Sequence, residues 1–101
     1  MVIVRISELI DKVDPVEAVN RGCKRTIDGI YCGGAVVVPS GWYDPNELAE
    51  YLDSHGYVYK GEDKLFFIFW KDVGEVNGHH VVKEVMVEAV SGLLIIGVRL
   101  V

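Results

Sequence analysis

VVKEVMVEAVSGLLIIGVRLV (residues 81–101) is the stretch whose reading decides the fold. Taken with a period of 3.6, Val81, Val82, Val85, Met86, Ala89 and Val90 form one apolar stripe, and residues 81–90 make a helix. Taken with a period of two, Val81, Val85, Val87 and Ala89 lie on one face and Glu84, Met86 and Glu88 on the other. Ser91-Gly92 then becomes a hairpin turn into residues 93–101. It aligns Leu94, Ile96, Val98 and Leu100 with the apolar face and sets Glu84 across from Arg99. The β-branched content and the opposite-charge pair favour the strands. The expected fold class is α+β, an antiparallel or mixed sheet of about six strands with two helices on one face. The helical reading leads instead to a ferredoxin-like arrangement with a third helix at 81–90.

Upstream, the same sheet gains strands between clear breakers. Cys23–Ile27 and Ile30–Val38 flank Asp28-Gly29, a dipeptide suited to a two-residue type I′ turn. Tyr57–Lys60 and Leu65–Trp70 are expected to pair around Gly61–Lys64, and the second, apolar on both faces, reads as a central strand covered on each side. Val2–Ile6 reads as a further strand. Helical stretches follow Ser7, a candidate cap, and Asp14-Pro15, ending at Gly22. Asp44-Pro45-Asn46-Glu47 combines an N-cap acceptor, a proline at N1 and a glutamate at N3. A helix with Leu48, Tyr51, Leu52 and His55 at helical spacing then closes at Gly56. With no repeat, linker or low-complexity segment, residues 1–101 are expected to form a single compact domain.

Composition narrows the class of function. Counted with glycine but without tyrosine, roughly 57 of 101 residues are apolar, against about 45–50% in a typical soluble domain. A small domain cannot hide so many apolar side chains alone, which points to a homo-oligomer or a protein partner. The net charge of −5 makes nucleic acid and anionic membranes poor partners. No apolar run approaches the about 20 residues of a membrane span, and the N-terminus lacks the features of a signal peptide, so the expected compartment is the cytoplasm. There is no Gln, and Asn stands only at 20, 46 and 77. Depletion of thermolabile amides suggests a thermophilic, archaeal source.

The residues able to carry chemistry are few. Cys23 and Cys32 face the same way on the first hairpin, diagonally displaced, and are read as two buried thiols or as a disulfide. Tyr31-Cys32-Gly33-Gly34 with His79 or His80 as base would make Cys32 a nucleophile. The same cysteines and histidines lack the close pairing of zinc ligands, so no metal and no cofactor is expected. Phe66, Phe67, Phe69 and Trp70 after Lys60-Gly61 resemble the aromatic strand of an RNA-recognition motif. The capped helix just before them and the acidic charge depart from it, and core packing is the expected role. Trp42 and Tyr43, in the loop before the capped helix, are the candidate contact surface. Glu47, Glu50 and Asp53 read as a solvated helix face, and His55 as a favourable partner of its helix dipole.

The leading functional reading is a small non-catalytic interaction or assembly subunit. The alternative is a ligand-binding protein or enzyme using Cys32 with the His79-His80 loop. Single-strand nucleic-acid binding is the third.

Overall fold

A computed structural model describes residues 5–101. In chain order the elements are α1 (Ile6–Asp11), α2 (Pro15–Arg21), β1 (Cys23–Thr26), β2 (Gly29–Val38), α3 (Pro45–Ser54), β3 (Val58–Asp63), β4 (Phe66–Val76), β5 (His79–Glu88) and β6 (Leu94–Leu100). The strands form one six-stranded sheet in the order β1-β2-β6-β5-β4-β3, antiparallel throughout. The fold is α+β. Residues 81–90 fall in a strand and its turn, which removes the ferredoxin-like alternative with a helix there.

Helix positions follow from local chemistry. Asp44 accepts from the Asn46 and Glu47 amides and Pro45 opens α3. Asp14 accepts from the Val16 amide ahead of Pro15 in α2. Proline at the first position loses no intrahelical bond, and the carboxylate satisfies an orphan donor. Ser7 is not a cap: α1 starts one residue earlier, with Arg5 at the N-cap and no side-chain capping bond. The strand expected at Val2–Ile6 lies mostly outside the described residues, and its last member, Ile6, is helical. With the break at Asp14-Pro15, α1 and α2 act as one bent helix.

The helices cover one face of the sheet. Leu9, Ile10, Val13 and Ala18 of the bent helix and Leu48 and Leu52 of α3 meet Cys32, Val38, Phe69, Val81, Val85, Val87, Leu94, Ile96 and Val98 in a single core. Lys83 also points to this side, where its Nζ donates to the Ile10 carbonyl at 3.1 Å. Burial pulls its pKa down. Gly33 explains how closely the bent helix seats on β2. Its φ is +66°, and a Cβ built there would fall 2.9 Å from the Ala18 Cβ.

Register departs from the expected one at both hairpins, each time by two residues. In β1–β2 the closing pair is Thr26↔Gly29, so Ile27-Asp28 forms the turn instead of Asp28-Gly29. The Thr26 hydroxyl takes over the turn, donating to the Gly29 carbonyl and accepting from the Asp28 amide. Cys23 then faces Cys32 directly, and the two are joined in a disulfide with Cα atoms 4.0 Å apart. In β5–β6 the loop is four residues long because the Glu88 carboxylate gathers the Val90 and Ser91 amides and the Ser91 hydroxyl. These bonds hold Glu88 below the usual carboxylate range. Glu84 accordingly faces Gly97, with Arg99 on the diagonal.

The remaining hairpins are longer than their sequence suggests. β3 runs to Asp63 through a bulge at Gly61, which leaves Lys64-Leu65 as the turn. β4 continues past Trp70 to Val76, and Asn77-Gly78 (φ +52° and +80°) turns it into β5. β4 is not central, nor covered on both faces: it lies beside the edge strand β3, and only its Phe67–Phe69–Val73 side meets the core.

The bridge ties a fully exposed edge strand to the sheet. Reduction is expected to lower unfolding free energy by about 2–3 kcal/mol, the cost of releasing a short closed loop in the unfolded chain. Urea unfolding with and without reductant measures it; unchanged stability would mean β1 is held by its ladder alone.

Candidate functional site

Strand alternation sends every second side chain away from the helices. On that open face the register aligns Tyr31, Arg99, Val82 and Asp72 in one row, Gly97, Glu84, Trp70 and Val58 in the next, and Val37, Ile95, Met86 and Ile68 in a third. Among the described residues none of the helices packs on this side. Val37 and Val58 are about as open as surface residues become in a sheet, at 58% and 60%. Ile68, Met86, Ile95, Trp70 and Tyr31 are half-buried by one another.

At the centre of the face sits a polar cluster. Glu84 is 4% exposed and accepts from Trp70 Nε1 at 2.7 Å. Arg99 Nε lies 3.2 Å from the same Oε2, in ionic contact but outside hydrogen-bond alignment. The guanidinium is stacked 4.4 Å from the Tyr31 ring centroid and 5.3 Å from that of Trp70, while Lys60 Nζ stands 5.1 Å from Trp70. Such cation–ring contacts favour Arg at partly desolvated sites. Burial pushes the Glu84 carboxyl above its ordinary range, the Trp70 N–H works against that shift, and nearby Asp63 adds to it. Burial also lowers Arg99. The cluster fixes two large rings, Trp70 and Tyr31, among the aliphatic side chains Val37, Ile68, Met86 and Ile95 of this face.

The residues singled out from sequence are scattered. Cys32 is buried and its sulfur is bonded to Cys23. It stands level with Val98 and Lys83, whereas His79 and His80 lie at the β4–β5 turn. Two strand spacings and three residues of rise separate Cys32 from His80 by about 14 Å, so the structure does not bring the proposed nucleophile and base together. His80 Nε2 instead meets Asp72 at 3.0 Å. Among the described residues no three His, Cys, Asp or Glu side chains are grouped to hold a metal ion. His55 stacks on Tyr51 with ring centroids 3.9 Å apart, and Glu47, Glu50 and Asp53 are exposed.

Trp42 is 55% exposed, while Tyr43 is half-buried against the core. Their loop is docked on the β5–β6 turn by the Gly41 amide donating to the Ser91 carbonyl. The same turn region exposes Val90 and, through the Ala89 amide bond to the Leu65 carbonyl, neighbours Leu65. Trp42 thus belongs to a minor apolar tip at one end of the sheet.

Sequence reasoning missed Tyr31 and Trp70 as surface residues. Phe69 is core, but Trp70 and Phe66 alternate to the open side. The available signal was the Glu84–Met86–Glu88 face of β5, which points away from the apolar side and is flanked by Trp70 and Phe66 on β4. No described helix is long and apolar enough to cross a membrane. No family model matches the chain, and neither a curated protein nor a solved structure matches it.

Proposed function

We propose that this protein is a non-catalytic interaction or assembly subunit and that the open sheet face is its contact surface. The observation that carries the reading is the uncovered aliphatic and aromatic face built around the Glu84–Trp70–Arg99 cluster. An apolar centre with aromatic rings and an arginine, rimmed by charges, is how protein interfaces are composed. The amide-poor composition supports a heat-loving source, and in such organisms a bridge like Cys23–Cys32 is compatible with the cytoplasm.

The test uses Met86, which lies in the middle of the face and is one of two methionines, the other being Met1. Photo-methionine incorporated in cells should cross-link the protein to a polypeptide through position 86, and the adduct should vanish in Met86→Leu. Absence of any position-86 adduct, or its persistence in Met86→Leu, would reject the reading.

A further inference from the structure

The helix-covered side of the sheet carries two lysines where its other residues are apolar. Strand alternation puts Lys83 on the same face as Val81 and Val85, both 0% exposed, and Lys71 on the same face as the core residue Phe69. The register sets Lys71 directly opposite Lys83, a relation that leaves Cβ atoms about 5 Å apart and in which like charges destabilise a sheet. Among the described residues no carboxylate comes within ion-pairing distance of either lysine.

The two amines differ in their surroundings. Lys83 is half-buried, and its Nζ donates at 3.1 Å to the Ile10 carbonyl near the end of α1. Burial acts on it most strongly and favours the neutral amine. Asp11 opposes that shift, Lys71 adds to it and Asp14 opposes it, which leaves the pKa below the ordinary lysine range. Lys71 is exposed. Its Cε lies beside Gly56, 3.8 Å from where a Cβ would stand, and its Nζ is 5.7 Å from the Tyr57 ring centroid. Burial, then Tyr51 and Asp11, push the Tyr57 hydroxyl up, so that ring carries no charge to pair with Lys71.

An amine nucleophile must be neutral to attack a carbonyl and becomes a cation once the imine has formed and taken up a proton. Desolvation beside a second ammonium favours the first state. The Ile10 carbonyl and the field of Asp11 receive the second. We propose that Lys83 is a covalent binding site for a small oxo acid, with Lys71 holding the acid's carboxylate. The Lys83 Nζ lone pair adds to the carbonyl carbon, and the carbinolamine takes a proton from solvent and releases its oxygen as water. The product is a protonated imine whose N–H still faces the Ile10 carbonyl. The bound carboxylate turns the like-charge contact of Lys71 into an ion pair. The site lies on the helix side of the sheet and is independent of the open face.

Glyoxylate with sodium cyanoborohydride, which traps the imine as a secondary amine, tests the proposal on the full chain, read by peptide mapping in a mass spectrometer. The expected result is that Lys83 is labelled faster than the exposed Lys12, Lys24, Lys60 and Lys64. A lysine that only capped α1 would be the slowest of them, because burial and protonation both block attack. Relative to those four, Lys83 should prefer glyoxylate over acetaldehyde, which has no anionic group, about fivefold. Lys71→Met, at an exposed side chain, should remove that preference. In Lys83→Arg, which keeps a cation for the Ile10 carbonyl, the fast phase of incorporation should disappear while the slow surface phase remains. Labelling of Lys83 no faster than that of the exposed lysines overturns the proposal, as does a fast phase that persists in Lys83→Arg. A preference for glyoxylate that is absent, or that survives Lys71→Met, overturns the assignment of an oxo acid held by Lys71.

Discussion

Gly92→Ala is expected to destabilise the protein by about 3–4 kcal/mol, while Gly41→Ala in the neighbouring loop costs only about 1–2 kcal/mol. Both glycines have positive φ, +73° and +87°, where an L side chain is strained. They differ in what a methyl group would meet. At Gly41 there is open space, whereas a Cβ at Gly92 falls well inside contact distance of the Tyr43 carbonyl oxygen and beside Pro45 Cδ. That carbonyl is not free to retreat. It belongs to the loop that positions the Asp44 cap of α3 and is tied to the β5–β6 turn through Gly41 and Ser91. Moving it disturbs the entry of the helix that delivers Leu48 and Leu52, 2% and 0% exposed, to the core. Chemical denaturation of the two variants measures the difference. Equal losses would show that the loop yields freely and that Gly92 is needed only for its backbone angle.

The second large effect is expected at the Glu84–Arg99 pair. Arg99→Met should destabilise by about 3–5 kcal/mol at neutral pH, since it leaves a buried carboxylate without its cation. Glu84→Leu should cost a similar amount by stranding the guanidinium. The double variant Glu84→Leu/Arg99→Met should lose less than either single change, because replacing both charges removes the desolvation cost together with the attraction. Titration adds a sign to this prediction. Burial pushes the Glu84 carboxyl up, and the opposing cation is gone in Arg99→Met. A raised folded pKa means that folding takes up a proton. The variant is therefore closest to wild type below the unfolded carboxylate pKa and falls behind as pH rises through the raised value. Thermal melts across the acid range read this directly. A constant gap between Arg99→Met and wild type, or additive losses in the double variant, would show that the two side chains do not work as a pair.

That pair also shows what kind of information the chain carries. Period two put Glu84 and Arg99 on the side away from the apolar residues, and they are there. Their direct opposition, expected from the sequence, does not occur: Glu84 faces Gly97 with Arg99 on the diagonal, and an even slip in register of this kind leaves every side chain on the same face. The slip is set by loop length, which depends on the Glu88 carboxylate gathering three donors in the turn. Nothing in the spacing of apolar residues marks that event. In the first hairpin, the Thr26 hydroxyl similarly displaces the turn from Asp28-Gly29 and changes a diagonal cysteine pair into a bonded one. The candidate surface was less legible still. Tyr31, Trp70 and Glu84 come from three different strands, and only the strand order gathers them.

The sequence by itself determined the start of α2 and α3 and the break at Asp14-Pro15, favoured the strand character of residues 81–88, and gave the sidedness of β5 and β6. These follow from capping, from proline and from alternation, all acting within a few residues. Tertiary structure alone decided the register of the hairpins, the union of Cys23 with Cys32, the place of β4 beside an edge strand and the face that the helices leave open. Each of those depends on contacts between residues distant in the chain. Gly33 admits Ala18, Gly92 admits the Tyr43 carbonyl, and Asn77 Nδ2 donates to Asn20 Oδ1 at 2.8 Å. Such contacts seat the helices on one side of the sheet and so leave the other side without a covering helix.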